Sequence, residues 1–223
     1  MQIAISGKMC SGKTSASEFL VQNYGFTRIS FATPMKDLEQ IHRTFYNNQS
    51  LWRSSIHAYA ERLVYYEHGS ASLVFEVEDF ILRLFKQTPY SETKNRELLQ
   101  GLHFLRDIVG ENVWINYLLK DCSVFHEDTL HVVNDDLRML SEFEALKGAG
   151  FVTIRLQVNP EMQKVRIKQL YGEVSPEKMI LRLSHPSETG LDKHEGKFDY
   201  LLDGNISLEE MYKNIQQIFL ASN

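Results

Sequence analysis

Residues 2–14 read Gln2-Ile3-Ala4-Ile5-Ser6-Gly7-Lys8-Met9-Cys10-Ser11-Gly12-Lys13-Thr14. The first five form a short apolar run without helical period, followed at once by a glycine-rich turn, which predicts a buried strand. Beyond the turn, Ala16, Phe19, Leu20 and Tyr24 fall on one helical face, and Gly25 ends the pattern. The octet between strand and helix matches G-x-x-x-x-G-K-[ST] in the context that this motif requires. Glycines let the backbone wrap tightly and turn its N–H groups toward phosphate oxygens, and the helix start adds its positive dipole end. Gly7, Lys8, Cys10, Ser11, Gly12, Lys13 and Thr14 are therefore the expected nucleotide-phosphate set. Lys13 would reach the β and γ phosphates, and the Thr14 hydroxyl would ligate Mg²⁺. Cys10 reads as a filler at a variable position, not as a redox element.

Outward from this loop the chain alternates strand and helix. Strands are expected at Phe26–Phe31, Leu130–Val133, Phe151–Val158 and Phe198–Leu202. Helices are expected from Pro34 behind a Thr33 cap, from Leu137 to Lys147, from Pro160, and from Leu208 to Leu220 behind a Ser207/Glu210 capping box. Such alternation argues for an α/β fold with a five-stranded parallel sheet and helices on both faces. Residues 51 to 121 read as helical throughout, in several pieces, too long for a plain crossover. We expect a single domain. Its core is residues 1–46, 94–158 and 191–223, with a helical insertion over about 47–93 and a lid over about 159–190.

The chain has 223 residues, 43% of them hydrophobic and 24% charged, which excludes a disordered tail, a collagen-like fibre and a disulfide-framed miniprotein. Its net charge of −5 argues against a broad grip on nucleic acid. No apolar run is long enough to cross a bilayer, the start lacks the pattern of a secretory signal, and Cys10 and Cys122 make no framework. The expectation is a cytoplasmic protein.

A second chemical feature is His131-Val132-Val133-Asn134-Asp135-Asp136, an acidic strand end of the kind that faces magnesium or its water shell. Asp136 is the residue expected there, acting through water, with Arg138 two positions on and Glu142 one helical turn beyond. Basic residues scattered over helices (Lys36, Arg96, Arg106, Arg166, Lys168, Arg182) could neutralise the charge of two nucleotides brought together.

Taken with the phosphate loop, further segments carry a family resemblance. They are Ser30-Phe31-Ala32-Thr33-Pro34-Met35-Lys36, Arg96-Glu97-Leu98-Leu99-Gln100, Arg106-Asp107-Ile108-Val109-Gly110-Glu111-Asn112-Val113-Trp114, Asp136-Leu137-Arg138 with Glu142, and His185-Pro186-Ser187-Glu188-Thr189. In these the sequence resembles the deoxynucleoside monophosphate kinases of tailed bacteriophages, a branch of the nucleoside-monophosphate-kinase-like P-loop fold. The resemblance spans nearly the whole chain outside about 47–90. It implies transfer of the ATP γ-phosphate, with Mg²⁺, onto a deoxynucleoside 5′-monophosphate in the host cytoplasm, with a modified pyrimidine such as 5-hydroxymethyl-dUMP among the acceptors. It also implies that Lys36, Arg96, Gln100, Arg106, Asp136, Arg138, Glu142 and Glu188 form the substrate set, and that Arg166 closes onto the phosphates from the lid. Lys13, Asp136, Arg138 and Arg166 are then the catalytic set. His185 and Glu188 would anchor the lid's return. Two segments depart from the family: Gly101-Leu102-His103-Phe104-Leu105 after Gln100, and Asp203-Gly204-Asn205-Ile206 before the last helix.

Other readings stay open at this stage. One is a P-loop kinase acting on a hydroxymethylated base in DNA. Another is a non-catalytic nucleotide-binding interaction protein, with Trp52, Tyr59, Tyr65, Tyr66, Phe80 and Phe85 as its docking surface, although helix packing explains most of these aromatics better. A homodimer is compatible with the inserted helices.

Overall fold

The computed structural model describes residues 1–67, 69–91, 95–124, 131–173, 175, 179 and 183–221; of Arg96, 121–124, Pro186 and Ser187 it describes the backbone only. The chain divides into two compact units, residues 1–30 with 125–223, and residues 31–124.

The first unit holds β1 (Gln2–Gly7), α1 (Lys13–Tyr24), β2 (Thr27–Ile29), β3 (Val132–Leu137), α8 (Leu140–Gly148), β4 (Val152–Gln157), α9 (Pro160–Tyr171), a short α10 (Pro186–Thr189), a 3₁₀ turn (Asp192–Lys197), β5 (Tyr200–Asp203) and α11 (Leu208–Ala221). Its five strands are ordered β2-β3-β1-β4-β5, and every pairing is parallel. The expected five-stranded parallel architecture is thus the one observed.

Strand alternation divides the residues of the sheet between its two faces. Ile3, Ile5, Val133, Ile154 and Leu156 point to one face and pack with Ala16 and Leu20 of α1 and Met211, Ile215 and Ile218 of α11. Ser6, Asn134, Thr153 and Arg155, all buried, lie at the alternate positions. On that side Phe143 of α8 packs its ring on Phe198, whose ring also lies under the Arg155 guanidinium. The capping box at the last helix is present: Glu210 N–H donates to Ser207 Oγ at 3.2 Å, and Ser207 N–H to Glu210 Oε2 at 3.3 Å.

Several boundaries differ from the sequence reading: β2 is confined to Thr27–Ile29, and β5 runs from Tyr200 to Asp203 instead of from Phe198 to Leu202. The third strand runs on to Leu137, so Asp135 and Asp136 are strand residues and not the turn after it. Pairing of Asn134 with Ala4 and of Leu137 with Ser6 continues the ladder past the apolar run, and the helix that follows starts at Leu140. Thr33 lies inside its helix instead of capping it, because the turn begins at Ala32.

The second unit is helical: α2 (Thr33–Phe45), α3 (Gln49–Tyr66), α4 (Ala71–Gln87), α5 (Arg96–Leu102), α6 (Leu105–Val109) and α7 (Val113–Val124). It encloses the 47–93 segment and adds α2 and α5–α7 to it. Val74, Val77, Ile81, Leu82 and Phe85 recur at three- and four-residue spacing along α4, as Trp52, Ile56, Tyr59, Leu63 and Val64 do along α3. These stripes meet Met35, Leu38, Leu98, Leu102, Leu105 and Trp114 in one core. Among the six aromatics weighed as a docking surface, Trp52, Tyr59 and Phe85 are core residues, and Tyr66 and Phe80 pack against that core. Tyr65 stays 74% exposed.

His42 lies in this core too, stacked against Phe85 with ring centroids 4.5 Å apart and near Trp52 at 5.6 Å. Burial pushes its pKa below the ordinary histidine value. Removing the Phe85 ring leaves a cavity that these neighbours cannot close. Phe85→Ala should therefore cost about 3–5 kcal/mol in urea denaturation followed by far-UV circular dichroism, whereas Tyr65→Ala should stay within about 0.5 kcal/mol.

Candidate functional site

The loop between β1 and α1 is shaped by its backbone. Gly12 takes φ 102° as the N-cap of α1, and Cys10 takes φ 61°, the one positive φ at a non-glycine among the described residues. Ser11 N–H donates to the Lys8 carbonyl at 3.1 Å and closes the turn. Gly7 has no room for a side chain: a Cβ there would lie 2.8 Å from the Leu156 carbonyl oxygen and against Ser11 Oγ. The Cys10 thiol is pushed above its ordinary pKa, first by burial. It is therefore no ready thiolate, in keeping with a filler role.

Lys13 begins α1 with only 9% of its surface exposed. Its Nζ donates to the carbonyls of Gly7 at 2.5 Å and Lys8 at 2.8 Å. Burial first, then the Arg138 guanidinium, lower its pKa to about 8. The carboxylates of Glu188 and Asp135 act the other way. Thr14, next in the chain, is exposed.

Several side chains converge on this loop within the first unit. From α9, Gln163 donates to the Met9 carbonyl at 3.0 Å, and Arg166 donates to the Cys10 carbonyl at 3.1 Å. Asn159 caps that helix by accepting the Met162 N–H at 2.7 Å. From α10, the Glu188 carboxylate accepts the Met9 N–H through Oε2 at 2.5 Å and Arg138 Nη1 through Oε1 at 3.1 Å. From β4, the buried Arg155 donates to Ser6 Oγ at 3.0 Å and Asp192 at 2.6 Å, and Asp192 also pairs with Lys8 at 3.0 Å. After β5, Gly204 comes so close that a Cβ would lie 3.0 Å from the Ser11 carbonyl oxygen and 2.8 Å from that of Gln157. The departing segment 203–206 therefore braces the loop from behind.

The two acidic residues of β3 have different surroundings. The β1–β3 register shifts between Ala4 and Ser6, which places one extra β3 residue in the Asp135–Asp136 stretch, and strand alternation puts the two neighbouring side chains on opposite faces. Asp135 accepts from Ser17 Oγ of α1 at 2.9 Å and from Arg28 at 2.6 Å. Asp136 accepts from Ser30 Oγ at 2.5 Å and Asn134 Nδ2 at 2.8 Å. The carboxylate that turns toward α1 is therefore Asp135, although Asp136 is the residue expected from the sequence. Glu142 accepts the backbone N–H groups of Arg138 at 2.8 Å and Met139 at 2.9 Å. It acts as a helix cap, and burial raises its pKa.

The remaining expected residues belong to the second unit. Lys36, Gln100 and Arg106 are exposed. Glu39, one turn after Lys36, accepts the Asn95 N–H at 3.3 Å, while Asn95 caps α5 by accepting Leu98 N–H at 3.0 Å. The start of α5 thus meets α2 at Glu39, one turn from Lys36, with the Arg96 side chain outside the described residues. Arg106 donates to the Glu111 carbonyl at 3.2 Å. Arg182 lies outside the described residues.

Sequence reading missed Ser17, Arg28, Arg155, Gln163 and Asp192. Arg155 did carry a signal, a charged residue at an alternate position of a strand that is otherwise buried. The others are singled out only by where the fold puts them.

The donor set suits a polyanion. Lys13, Arg138, Arg155, Arg166 and Lys8 gather at the loop, interleaved with the carboxylates of Glu188, Asp192 and Glu195, and a buried ammonium such as Lys13 is costly without a strong anionic partner. No group of three or more His, Cys, Asp or Glu that could hold a metal occurs among the described residues. Any Mg²⁺ would thus be held mainly by phosphate oxygens, with Thr14 at hand.

The chain matches no protein-family model and no curated protein sequence. Among solved structures it is similar to TT1252 from Thermus thermophilus. That TM-score is 0.56 at 16% identity, over 100% of this chain and 97% of that one, a shared fold. Deoxyadenosine kinase from M. mycoides with bound dATP aligns over 98% of this chain and 99% of that chain, at 17% identity and a TM-score of 0.36, a distant likeness only.

Two tests follow from the loop. A lysine with a lowered folded-state pKa binds fewer protons folded than unfolded, so stability rises as pH climbs from about 8 toward 10.5. Without nucleotide, wild-type should gain unfolding free energy relative to Lys13→Met between pH 7 and 10, read by denaturant midpoints at each pH. Gly204→Ala should lower both the thermal midpoint and nucleotide affinity, because the atoms it meets are backbone.

Proposed function

We propose that the protein is a phosphotransferase that moves the terminal phosphate of ATP onto a deoxynucleoside 5′-monophosphate. One observation carries the reading. A phosphate-loop backbone is surrounded by four buried or half-buried cations, Lys13, Arg138, Arg155 and Arg166. Binding a single phosphate does not call for so many. Transfer between two phosphorylated molecules gathers negative oxygens that such a set neutralises.

On this reading Lys13 and the loop amides hold the donor's phosphates. Arg166, already fixed to the loop, neutralises charge developing in flight. Arg138 serves the acceptor's phosphate, and Lys36, Arg96, Gln100 and Arg106 are the acceptor-binding set of the second unit. The acceptor is itself an anion, so no strong general base is required and catalysis is positioning plus charge neutralisation. Thr14 would hold a Mg²⁺ ion brought with the nucleotide, which would neutralise phosphate charge. Asp135, on the α1 side, would supply the carboxylate facing that ion, in preference to Asp136. Acceptance of a modified pyrimidine such as 5-hydroxymethyl-dUMP rests on the resemblance alone. A host-cytoplasm location rests on that same resemblance, and a homodimer on the inserted helices of the second unit.

A coupled ADP-release assay over natural and modified deoxynucleoside monophosphates tests the reading. Acceptor-dependent ADP release should appear with wild-type and fall by at least about 10²-fold in Lys13→Ala. Release that is unaffected by every acceptor, or stimulated only by hydroxymethylated DNA, would overturn it. Asp135→Asn should weaken the apparent Mg²⁺ affinity more than Asp136→Asn in the same assay.

A further inference from the structure

The Glu188 carboxylate occupies a place where an anion belongs. Its side chain is only 3% exposed, yet it lies among cations of the loop. One oxygen takes the N–H of Met9, in the middle of the phosphate loop, at 2.5 Å. The other takes Arg138 Nη1 at 3.1 Å. Its charge is also felt by Lys13, whose ammonium is meanwhile turned onto the Gly7 and Lys8 carbonyls. A loop N–H, an arginine and the loop lysine are thus all satisfied from within the protein.

We propose that Glu188 is an internal substitute for a nucleotide phosphate, which the incoming triphosphate must displace. The inference deepens the phosphotransferase reading and rests on it. An N–H donor directed at a carboxylate oxygen cannot at the same time serve a phosphate oxygen. A carboxylate and a phosphate held by the same cations also repel each other strongly in a site this dry. Binding of the triphosphate therefore requires Glu188 to leave the loop. That departure frees Arg138 for a phosphate group, so the arginine becomes available only when the donor nucleotide is present. When the terminal phosphate has been handed on, Glu188 can return and weaken the hold on the diphosphate. Glu188 is on this account a determinant of donor affinity, not a member of the acceptor site. It also keeps Lys13 and Arg138 from facing each other without a counter-charge in the ligand-free protein.

The test is calorimetric titration of the full chain with Mg²⁺ and the non-hydrolysable analogue AMP-PNP. Glu188→Gln keeps the shape but not the charge, and Glu188→Ala removes both. Each should bind AMP-PNP at least about tenfold more tightly than wild-type, the neutral isostere showing that charge is what competes. Unchanged or weaker affinity in variants that retain a wild-type unfolding midpoint overturns the proposal and leaves Glu188 as a positioning partner of Arg138. Binding of AMP-PNP by wild-type is the arm that tests the phosphate loop itself. If neither wild-type nor variants bind, the loop reading fails and this inference with it; if only the variants bind, both stand. Should the variants fail to fold, hydrogen exchange of wild-type decides. Amides of residues 183–190 should exchange faster with AMP-PNP bound, and unchanged exchange there overturns the proposal.

Discussion

A lysine ammonium buried beside a guanidinium is an expensive arrangement, and much of the first unit can be understood as the means of keeping it. Lys13 is held at the start of α1 because Gly7 permits β1 to pass tightly under Leu156 and Gly12 permits the turn into the helix. Its charge is tolerated through the Gly7 and Lys8 carbonyls and the nearby acids Glu188 and Asp135. Burial still lowers its proton affinity, so holding the ammonium there costs stability.

Around that lysine the polar side of the sheet forms a connected support. Arg155 joins Ser6 of β1 to Asp192 of the 3₁₀ turn, and Asp192 reaches Lys8 in the loop. Gln163 and Arg166 of α9 grip the Met9 and Cys10 carbonyls. Because carbonyls are held from one side, the loop's N–H groups are kept in order, and order before binding is what makes electrostatic stabilisation effective. The second unit shows a different economy. Its helices owe their positions to apolar stripes, and its polar side chains act mostly as caps and junctions, such as Asn95 and Glu39.

The strand-loop-helix start, the parallel sheet and the helical character of the described residues between 51 and 121 were legible from periodicity, glycine placement and capping residues. Boundaries were less so. The apolar run of β3 ends at Val133, but parallel pairing with β1 carries the strand on through Asn134, Asp135 and Asp136, because a backbone ladder does not depend on side-chain polarity. Glu142 was legible as a partner of the Asp136–Arg138 stretch but not as its cap, since a cap is defined by where the helix begins.

What the sequence by itself determined is the phosphate loop, its lysine and the order of strands and helices, because these depend on local backbone freedom and on hydrophobic period. Which acid faces α1, which arginine is buried and what lies against the loop were decided only in three dimensions. Asp135 and Asp136 are neighbours of like chemistry, and it is their alternation in the extended strand, with Ser17 and Arg28 on one side and Ser30 and Asn134 on the other, that separates their surroundings. Glu188 is 179 residues from Met9, and only the closing of the parallel sheet and the return of the chain after α9 bring that carboxylate to that amide.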